Sequence, residues 1–423
     1  MTRNSNSRVN QWQPPARPEW LQRVNEEGSY LDIKSVVPLD EASLIGHAKA
    51  NTGLSDFGDN NWYEPFQLFL KSLEEESQLT LMGRIMTRSD LLMYLEGRLQ
   101  VEEAYKQHPE IDAVELAPPM LIIGSGRSGT SALQNLLSLD PDNGTPKHWE
   151  AMFPCPPPVA TTYHTDPRIA IADKRMTQWN RVTPEIMSMH EFGGEMPTEL
   201  IQLEMLSFQA PGWMIFCGFT PGFDAWMYPR SGVPGLAYAK RIMKLLQWKN
   251  PRKRWLLKSP DSMRYMPDVF HVFPNMQLIW MHRDPLKTVS SVVSLIGTIH
   301  WMRSDRKMDE RATAQLTNPA GLAGLFGMVM DQLDQGKVPE KQLSSVQYQD
   351  LITDPIATVE KLYRHMGISL TDAGRAAMQA YVRDNPRDAR PSHQYTTGSA
   401  EQLVEERKLF ERYQARFNVK SEF

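Results

Sequence analysis

The sequence contains little cysteine, with only Cys155 and Cys217 among its 423 residues. Two cysteines cannot build a disulfide framework or an all-cysteine zinc site, so we expect a reducing compartment. No window approaches the roughly 18 uncharged apolar residues of a membrane span. The first twenty residues also lack the apolar core of a signal peptide. These absences predict a cytoplasmic protein without a membrane span.

An excess of positive charge is absent too, since 46 Lys and Arg residues face 50 Asp and Glu residues, giving a formal net charge of −4. This balance argues against broad electrostatic binding of nucleic acid. The zinc-protease motif is incomplete, because Gly194 stands where a second histidine would have to follow His190-Glu191. We therefore predict no metal.

The order of apolar runs predicts an α/β core. Met120–Ile123 is a short apolar run that leads into glycines and then a helical pattern. The apolar runs at 255–257 and 278–281, and the segment 343–348 with Ser344-Ser345-Val346, predict three more strands. Asp284-Pro285 and Asp354-Pro355 are typical of helix starts, with aspartate as N-cap and proline in the first turn. Strands alternating with helices predict a parallel sheet flanked by helices.

The patterns divide the chain into regions of different character. These are a polar tail or loosely docked arm (1–30), a helical extension (31–117), an α/β core (118–370) with a helical insertion at about 151–250, and a helical segment (371–423). The aromatic stretch 189–238 within the insertion suits either core packing or an apolar ligand pocket. A basic stretch in the last region suits either a closing loop or a solvated connector; it contains Arg387, Arg390, His393 and Tyr395.

The glycine-rich run Gly124–Ser131 matches two phosphate-binding templates incompletely. It resembles a dinucleotide fingerprint, but 142–147 does not show the second strand which that template requires. It also fits the nucleoside-triphosphatase loop except that Thr130 replaces the lysine that serves the β- and γ-phosphates. A loop without this lysine still binds one phosphate through backbone N–H groups and the helix dipole. We therefore expect a nucleotide with a single 5′-phosphate group, although a tight turn without ligand stays open.

Three motifs in order carry a family resemblance. The run PMLIIGSGRSGTSAL (119–133), WLLKSP (255–260) and MHRDP (281–285), supported by HEFG (190–193) and YQDL (348–351), resembles sulfotransferases that use 3′-phosphoadenosine 5′-phosphosulfate (PAPS). The bacterial-type general group is the most similar. The resemblance implies a P-loop-like sulfotransferase fold, PAPS as co-substrate and no metal. It implies sulfuryl transfer to a hydroxyl group of a small acceptor, and the aromatic content of the chain favours an apolar one.

The resemblance also implies roles for individual residues. Arg283 and Ser291, eight residues apart, are expected on the 3′-phosphate, and Lys258 on the oxygen that leaves with the nucleotide. The expected nucleotide-binding residues are Gly126, Arg127, Ser128, Gly129, Thr130, Ser131, Arg283, Ser291 and Tyr348.

The sequence offers three candidates for the catalytic base. Related enzymes with a glutamate base place it just over twenty residues beyond the loop arginine, and Glu150 lies 23 residues beyond Arg127. His148 and His190 stay open as alternatives. Two other functions also stay open: a nucleotide kinase or ATPase with a degenerate loop, and a nucleotide-binding module without catalysis. A homo-oligomer, with 31–115 as an interface, is compatible with the sequence.

Overall fold

The computed structural model describes residues 7–190, 192–211, 213, 217–310, 313–386 and 398–423. Within these residues, five strands form one parallel sheet in the order β2-β3-β1-β4-β5. The strands are β1 (Pro119–Ile123), β2 (Asn143–Gly144), β3 (Arg254–Lys258), β4 (Gln277–His282) and β5 (Leu343–Gln347). The predicted α/β fold with a parallel sheet is confirmed.

The short strand β2 corrects one expectation. The sequence at 142–147 gives no strand signal, yet Asn143 and Gly144 pair with the start of β3. Two residues are too few for an alternation or an apolar run to be recognised. A second difference concerns Tyr348, which is expected to end a strand but is the first residue of a helix.

Helices surround the sheet on both faces. Those before β1 are α1 (Arg8–Gln11), α2 (Glu19–Gly28), α3 (Ile33–Val36), α4 (Glu41–Thr52), α5 (Tyr63–Glu76) and α6 (Leu81–Gln107). Those between β1 and β3 are α7 (Thr130–Leu137), α8 (His148–Met152), α9 (Arg168–Val182), α10 (Leu200–Glu204), α11 (Pro221–Met227) and α12 (Val233–Trp248). Those after β3 are α13 (Met266–Val272), α14 (Pro285–Arg303), α15 (Ala314–Thr317), α16 (Pro319–Asp334), α17 (Tyr348–Thr353), α18 (Pro355–His365), α19 (Asp372–Asp384), α20 (Ala400–Arg407) and α21 (Glu411–Phe417). In the described part of the chain, no helix is long and apolar enough to cross a membrane.

The central strand β1 is buried along its whole length, because it is hydrogen-bonded to β3 on one side and to β4 on the other. Its side chains alternate between two apolar clusters, as the pleat requires. Leu121 and Ile123 join the larger cluster, whereas Met120 and Ile122 join the cluster that α7 and α18 cover.

The two helix starts predicted from Asp-Pro pairs are capped by their aspartates. The Asp284 carboxylate accepts a hydrogen bond from the Leu286 N–H at 3.1 Å, and the Asp354 carboxylate accepts one from the Ala357 N–H at 3.0 Å. These caps satisfy backbone donors that the first helical turn leaves free. The cap at Asp284 lies directly after β4, at the start of α14.

The segment 7–17, predicted as part of a polar tail or loosely docked arm, packs on α14. Arg8 is 4% exposed, and its Nε donates to Ser290 Oγ at 3.0 Å. The Arg17 guanidinium lies 3.7 Å from the ring centroid of Trp301. This segment is therefore docked on the helix that carries Ser291.

The aromatic residues of the insertion mainly fill the core. Phe208 and Trp213 are fully buried and stack with their ring centroids 5.0 Å apart. Phe219 and Phe223 are buried as well. Of the two interpretations of 189–238, packing therefore describes these four side chains.

Candidate active site

The glycine-rich turn lies between β1 and α7, at the carboxyl edge of the sheet. Gly129 has φ of +100°, and a Cβ there would lie 2.7 Å from the Tyr348 ring. Arg127 also has positive φ, +67°, a strained backbone conformation for a residue with a side chain. Ser128 is fully buried, and its hydroxyl has no hydrogen-bond partner among the described residues. A turn of this shape with an unsatisfied buried donor suits an anion at the start of α7.

Four of the predicted nucleotide-binding residues form one connected cluster. Arg127 Nε donates to Ser291 Oγ at 3.1 Å, and Arg283 Nη1 donates to the Arg127 carbonyl at 3.0 Å. The Arg283 guanidinium lies 3.9 Å from the ring centroid of Tyr348. These side chains meet because β1, β4 and β5 are parallel, so that their carboxyl ends share one edge.

Arg283 also binds a residue that sequence reasoning missed. Its Nε and Nη2 donate to Glu422 Oε1 and Oε2 at 2.8 and 3.0 Å, which is a bidentate ion pair. The two residues lie 139 positions apart, and no local signal in the sequence connects them.

Lys258 ends β3 and is 2% exposed. Its Nζ donates to Ser131 Oγ at 3.1 Å, which places the ammonium beside the first turn of α7. Its Nζ also donates to Glu199 Oε1 at 2.6 Å. Glu199 was not singled out from the sequence, but it is the carboxylate that meets the predicted catalytic lysine.

Glu150, the base expected from its spacing, has a structural environment instead. It is fully buried and forms an ion pair with Arg252, while its Oε2 accepts the Lys147 N–H at 2.9 Å. These contacts hold the first turn of α8 against the segment before β3. Both carboxylate oxygens are thus engaged in holding the fold.

The two histidines named as alternatives both pack on the Phe192 ring. His148 is 2% exposed, and neither ring nitrogen has a partner among the described residues. Burial lowers its pKa to about 3, and positive charge on His190 and Lys258 adds to the shift. The His190 ring stacks on Phe192 with centroids 4.5 Å apart, and Phe192 also packs edge-on against His148. A neutral His148 imidazole that feels the charge of Lys258 is therefore packed against an apolar ring.

Some expected features lie outside the described residues. The basic stretch with Arg387, Arg390, His393 and Tyr395 falls within 387–397, and Glu191 is also outside. Among the residues that are described, no group of three or more His, Cys, Asp or Glu side chains has an arrangement that would hold a metal ion.

The fold and the turn define a P-loop-like α/β protein whose loop lacks the usual lysine. The chain belongs to the sulfotransferase family, because the model of that family matches residues 118–372. It is therefore a sulfotransferase, and the nucleotide kinase interpretation is set aside.

Mycobacterial sulfotransferases are similar in sequence and in structure. The chain is 22% identical over 316 residues to the omega-hydroxy-beta-dihydromenaquinone-9 sulfotransferase Stf3 of Mycobacterium bovis and of Mycobacterium tuberculosis, which covers 70% of this chain and 73% of each relative. It is similar to the crystal structure of sulfotransferase STF1 from M. tuberculosis H37Rv, with a TM-score of 0.73 and 25% identity over 89% of this chain and 98% of that one. STF9 from Mycobacterium avium gives a TM-score of 0.75 and 23% identity over 91% and 98%.

Proposed function

We propose that this sulfotransferase moves a sulfuryl group from PAPS to a hydroxyl group of a small apolar molecule. The observation that carries the proposal is the connected cluster of Arg127, Arg283 and Ser291 beside a turn whose Ser128 hydroxyl is buried without a described partner. PAPS has two separated anionic ends, and this edge of the sheet offers two separated sets of donors.

The donor sets fit the two ends of PAPS. The turn 124–129, the first N–H groups of α7 and the Ser128 hydroxyl suit the 5′-phosphosulfate, since a helix start favours anions. The Arg283 guanidinium and the Ser291 hydroxyl suit the 3′-phosphate, to which a guanidinium binds as a fork. Thr130 in place of lysine leaves the site without the group that serves a triphosphate.

The proposed reaction is an in-line displacement at sulfur. The acceptor oxygen forms a bond to sulfur while the bond between sulfur and the bridging 5′-phosphate oxygen breaks. Lys258 stabilises the negative charge that grows on this leaving oxygen. The proton of the acceptor hydroxyl passes to a nearby base.

We assign the base to Glu199 rather than to Glu150 or His148. The Glu199 side chain is 25% exposed and lies 2.6 Å from Lys258, so an incoming hydroxyl has access to it beside the reacting atoms. Glu150 is occupied by Arg252. His148 is a weak proton acceptor because burial lowers its pKa to about 3. When Lys258 turns to the leaving oxygen, the Glu199 carboxylate is released for the proton.

The apolar character of the acceptor has separate support. Phe192 packs against both histidines and against Trp179, which gives the surroundings of His148 an apolar wall. The similar Stf3 proteins carry the name of a menaquinone derivative with a hydroxyl group as their substrate. An apolar alcohol is the corresponding acceptor class for this chain.

The test is a transfer assay with PAPS and a panel of apolar alcohols, read by mass spectrometry as the gain of one sulfuryl group. Glu199→Gln should reduce turnover by about 100-fold or more while binding adenosine 3′,5′-bisphosphate normally, because general-base catalysis is worth roughly 10²–10⁴. Glu150→Gln is the matched control and should retain turnover in the fraction that folds. Wild-type turnover in Glu199→Gln, with loss in His148→Asn, would move the base to His148.

A further inference from the structure

The ion pair between Arg283 and Glu422 engages the guanidinium atoms that a phosphate would use. Nε and Nη2 both donate to the Glu422 carboxylate, at 2.8 and 3.0 Å. Carboxylates and phosphates bind a guanidinium through the same pair of parallel hydrogen bonds. The two anions therefore exclude each other on this face of Arg283.

The segment 418–423 is seated so that Glu422 reaches this position. The Glu422 N–H donates to Asp284 Oδ2 at 2.7 Å, and the Phe423 ring lies 4.0 Å from Lys287 Nζ. Asp284 and Lys287 belong to the start of the helix that carries Ser291. The segment is thus anchored on the same helix as the expected phosphate ligand.

Arg283 does not depend on Glu422 alone for its position. Its Nη1 donates to the Arg127 carbonyl at 3.0 Å, and its planar group lies over the Tyr348 ring. These two contacts use Nη1 and the planar face of the guanidinium. An anion that replaces Glu422 on Nε and Nη2 therefore leaves both contacts in place. Arg283 therefore keeps its position at the turn while one anion replaces another on Nε and Nη2.

We propose that the Glu422 carboxylate is a built-in competitor for the 3′-phosphate, so that the bisphosphate nucleotide binds and leaves by exchange with Glu422 on Arg283. This inference rests on the proposed function, since it takes Arg283 as the 3′-phosphate ligand. Its consequence concerns product release. When adenosine 3′,5′-bisphosphate leaves, Glu422 replaces the phosphate on Arg283 and speeds dissociation.

The test compares Glu422→Gln and Glu422→Ala with the wild type by calorimetric titration and stopped-flow dissociation. Both variants should bind adenosine 3′,5′-bisphosphate about two- to fivefold more tightly, because a partly exposed ion pair no longer has to be broken. The gain should appear mainly as slower dissociation. Adenosine 5′-monophosphate, which lacks the 3′-phosphate, should bind with unchanged affinity.

Glu405→Gln is the matched control, since it removes the same charge from an exposed pair with Lys408 and should leave both affinities unchanged. Weaker bisphosphate binding in the Glu422 variants would mean that Glu422 positions Arg283, and would overturn the competitor role. If both nucleotides bound more tightly by the same factor, the change in net charge would explain the effect, and the competitor role would be overturned as well. Absence of bisphosphate binding in every chain, wild type included, would refute the nucleotide site itself.

Discussion

Replacing Arg283 with alanine should weaken the binding of adenosine 3′,5′-bisphosphate by more than tenfold. The guanidinium offers two N–H groups to the 3′-phosphate, and hydrogen bonds to charged groups contribute about 1.5–3 kcal/mol each, or about 3 kcal/mol together at the lower bound. The wild type first has to break the pair between Arg283 and Glu422, which costs up to about 1 kcal/mol because Glu422 is partly exposed. The net loss is about 2 kcal/mol, a change in Kd of roughly thirtyfold.

Isothermal titration of the two nucleotides measures this loss. Arg283→Ala should bind adenosine 5′-monophosphate almost normally, since that ligand has no 3′-phosphate. Arg283→Lys should be intermediate, because an ammonium keeps the charge but cannot bind as a fork. Arg383→Ala removes an exposed arginine that pairs with Asp384, and should have no effect. A bisphosphate Kd within threefold of the wild type in Arg283→Ala would refute the assignment of the 3′-phosphate.

Two further predictions concern the stability of the fold. Gly83→Ala should lower the free energy of unfolding in urea by about 1–3 kcal/mol, because a Cβ there would clash with the Arg303 carbonyl oxygen. Gly46→Ala, at an exposed helix position with open space around it, should raise the free energy of unfolding by about 0.5–1 kcal/mol. Equal effects of the two changes would contradict this packing. Burial, together with the negative charge of Asp261, raises the pKa of the Glu204 carboxyl to about 8. The contribution of Glu204 to the free energy of unfolding is therefore fully present below its ordinary pKa of 4.5, and it is lost as the pH rises to 8. Glu204→Gln cannot ionise and should therefore gain at least about 1 kcal/mol relative to the wild type between pH 5 and pH 8, and a difference independent of pH would contradict the buried neutral acid.

Four of the five strands and their parallel direction could be predicted because their signals are local. Short apolar runs mark β1, β3 and β4, and a polar residue or glycine stands at or directly after the end of each strand. Since parallel strands end at one edge, Arg283 at the end of β4 is expected near the turn, and the family resemblance predicts the same for Lys258. The contacts of Lys258 with Ser131 and of Arg283 with Arg127 agree with that expectation.

The partners of these residues could not be predicted because they come from distant parts of the chain. Glu199 reaches Lys258 from 59 positions away, and Glu422 reaches Arg283 from 139. Glu150 has the spacing of a base, but Arg252, 102 positions later, pairs with it. Spacing from a motif specifies a position along the chain, whereas the availability of a carboxylate depends on which cation the fold brings to it.

The claim on which the account depends is that the turn 124–129 and Arg283 together bind the two anionic ends of one nucleotide. Calorimetric titration of the full chain with adenosine 3′,5′-bisphosphate, with and without magnesium, tests it most directly. The account predicts one nucleotide per chain and the same affinity in both buffers. No measurable binding, or a magnesium-dependent preference for ATP, would contradict it.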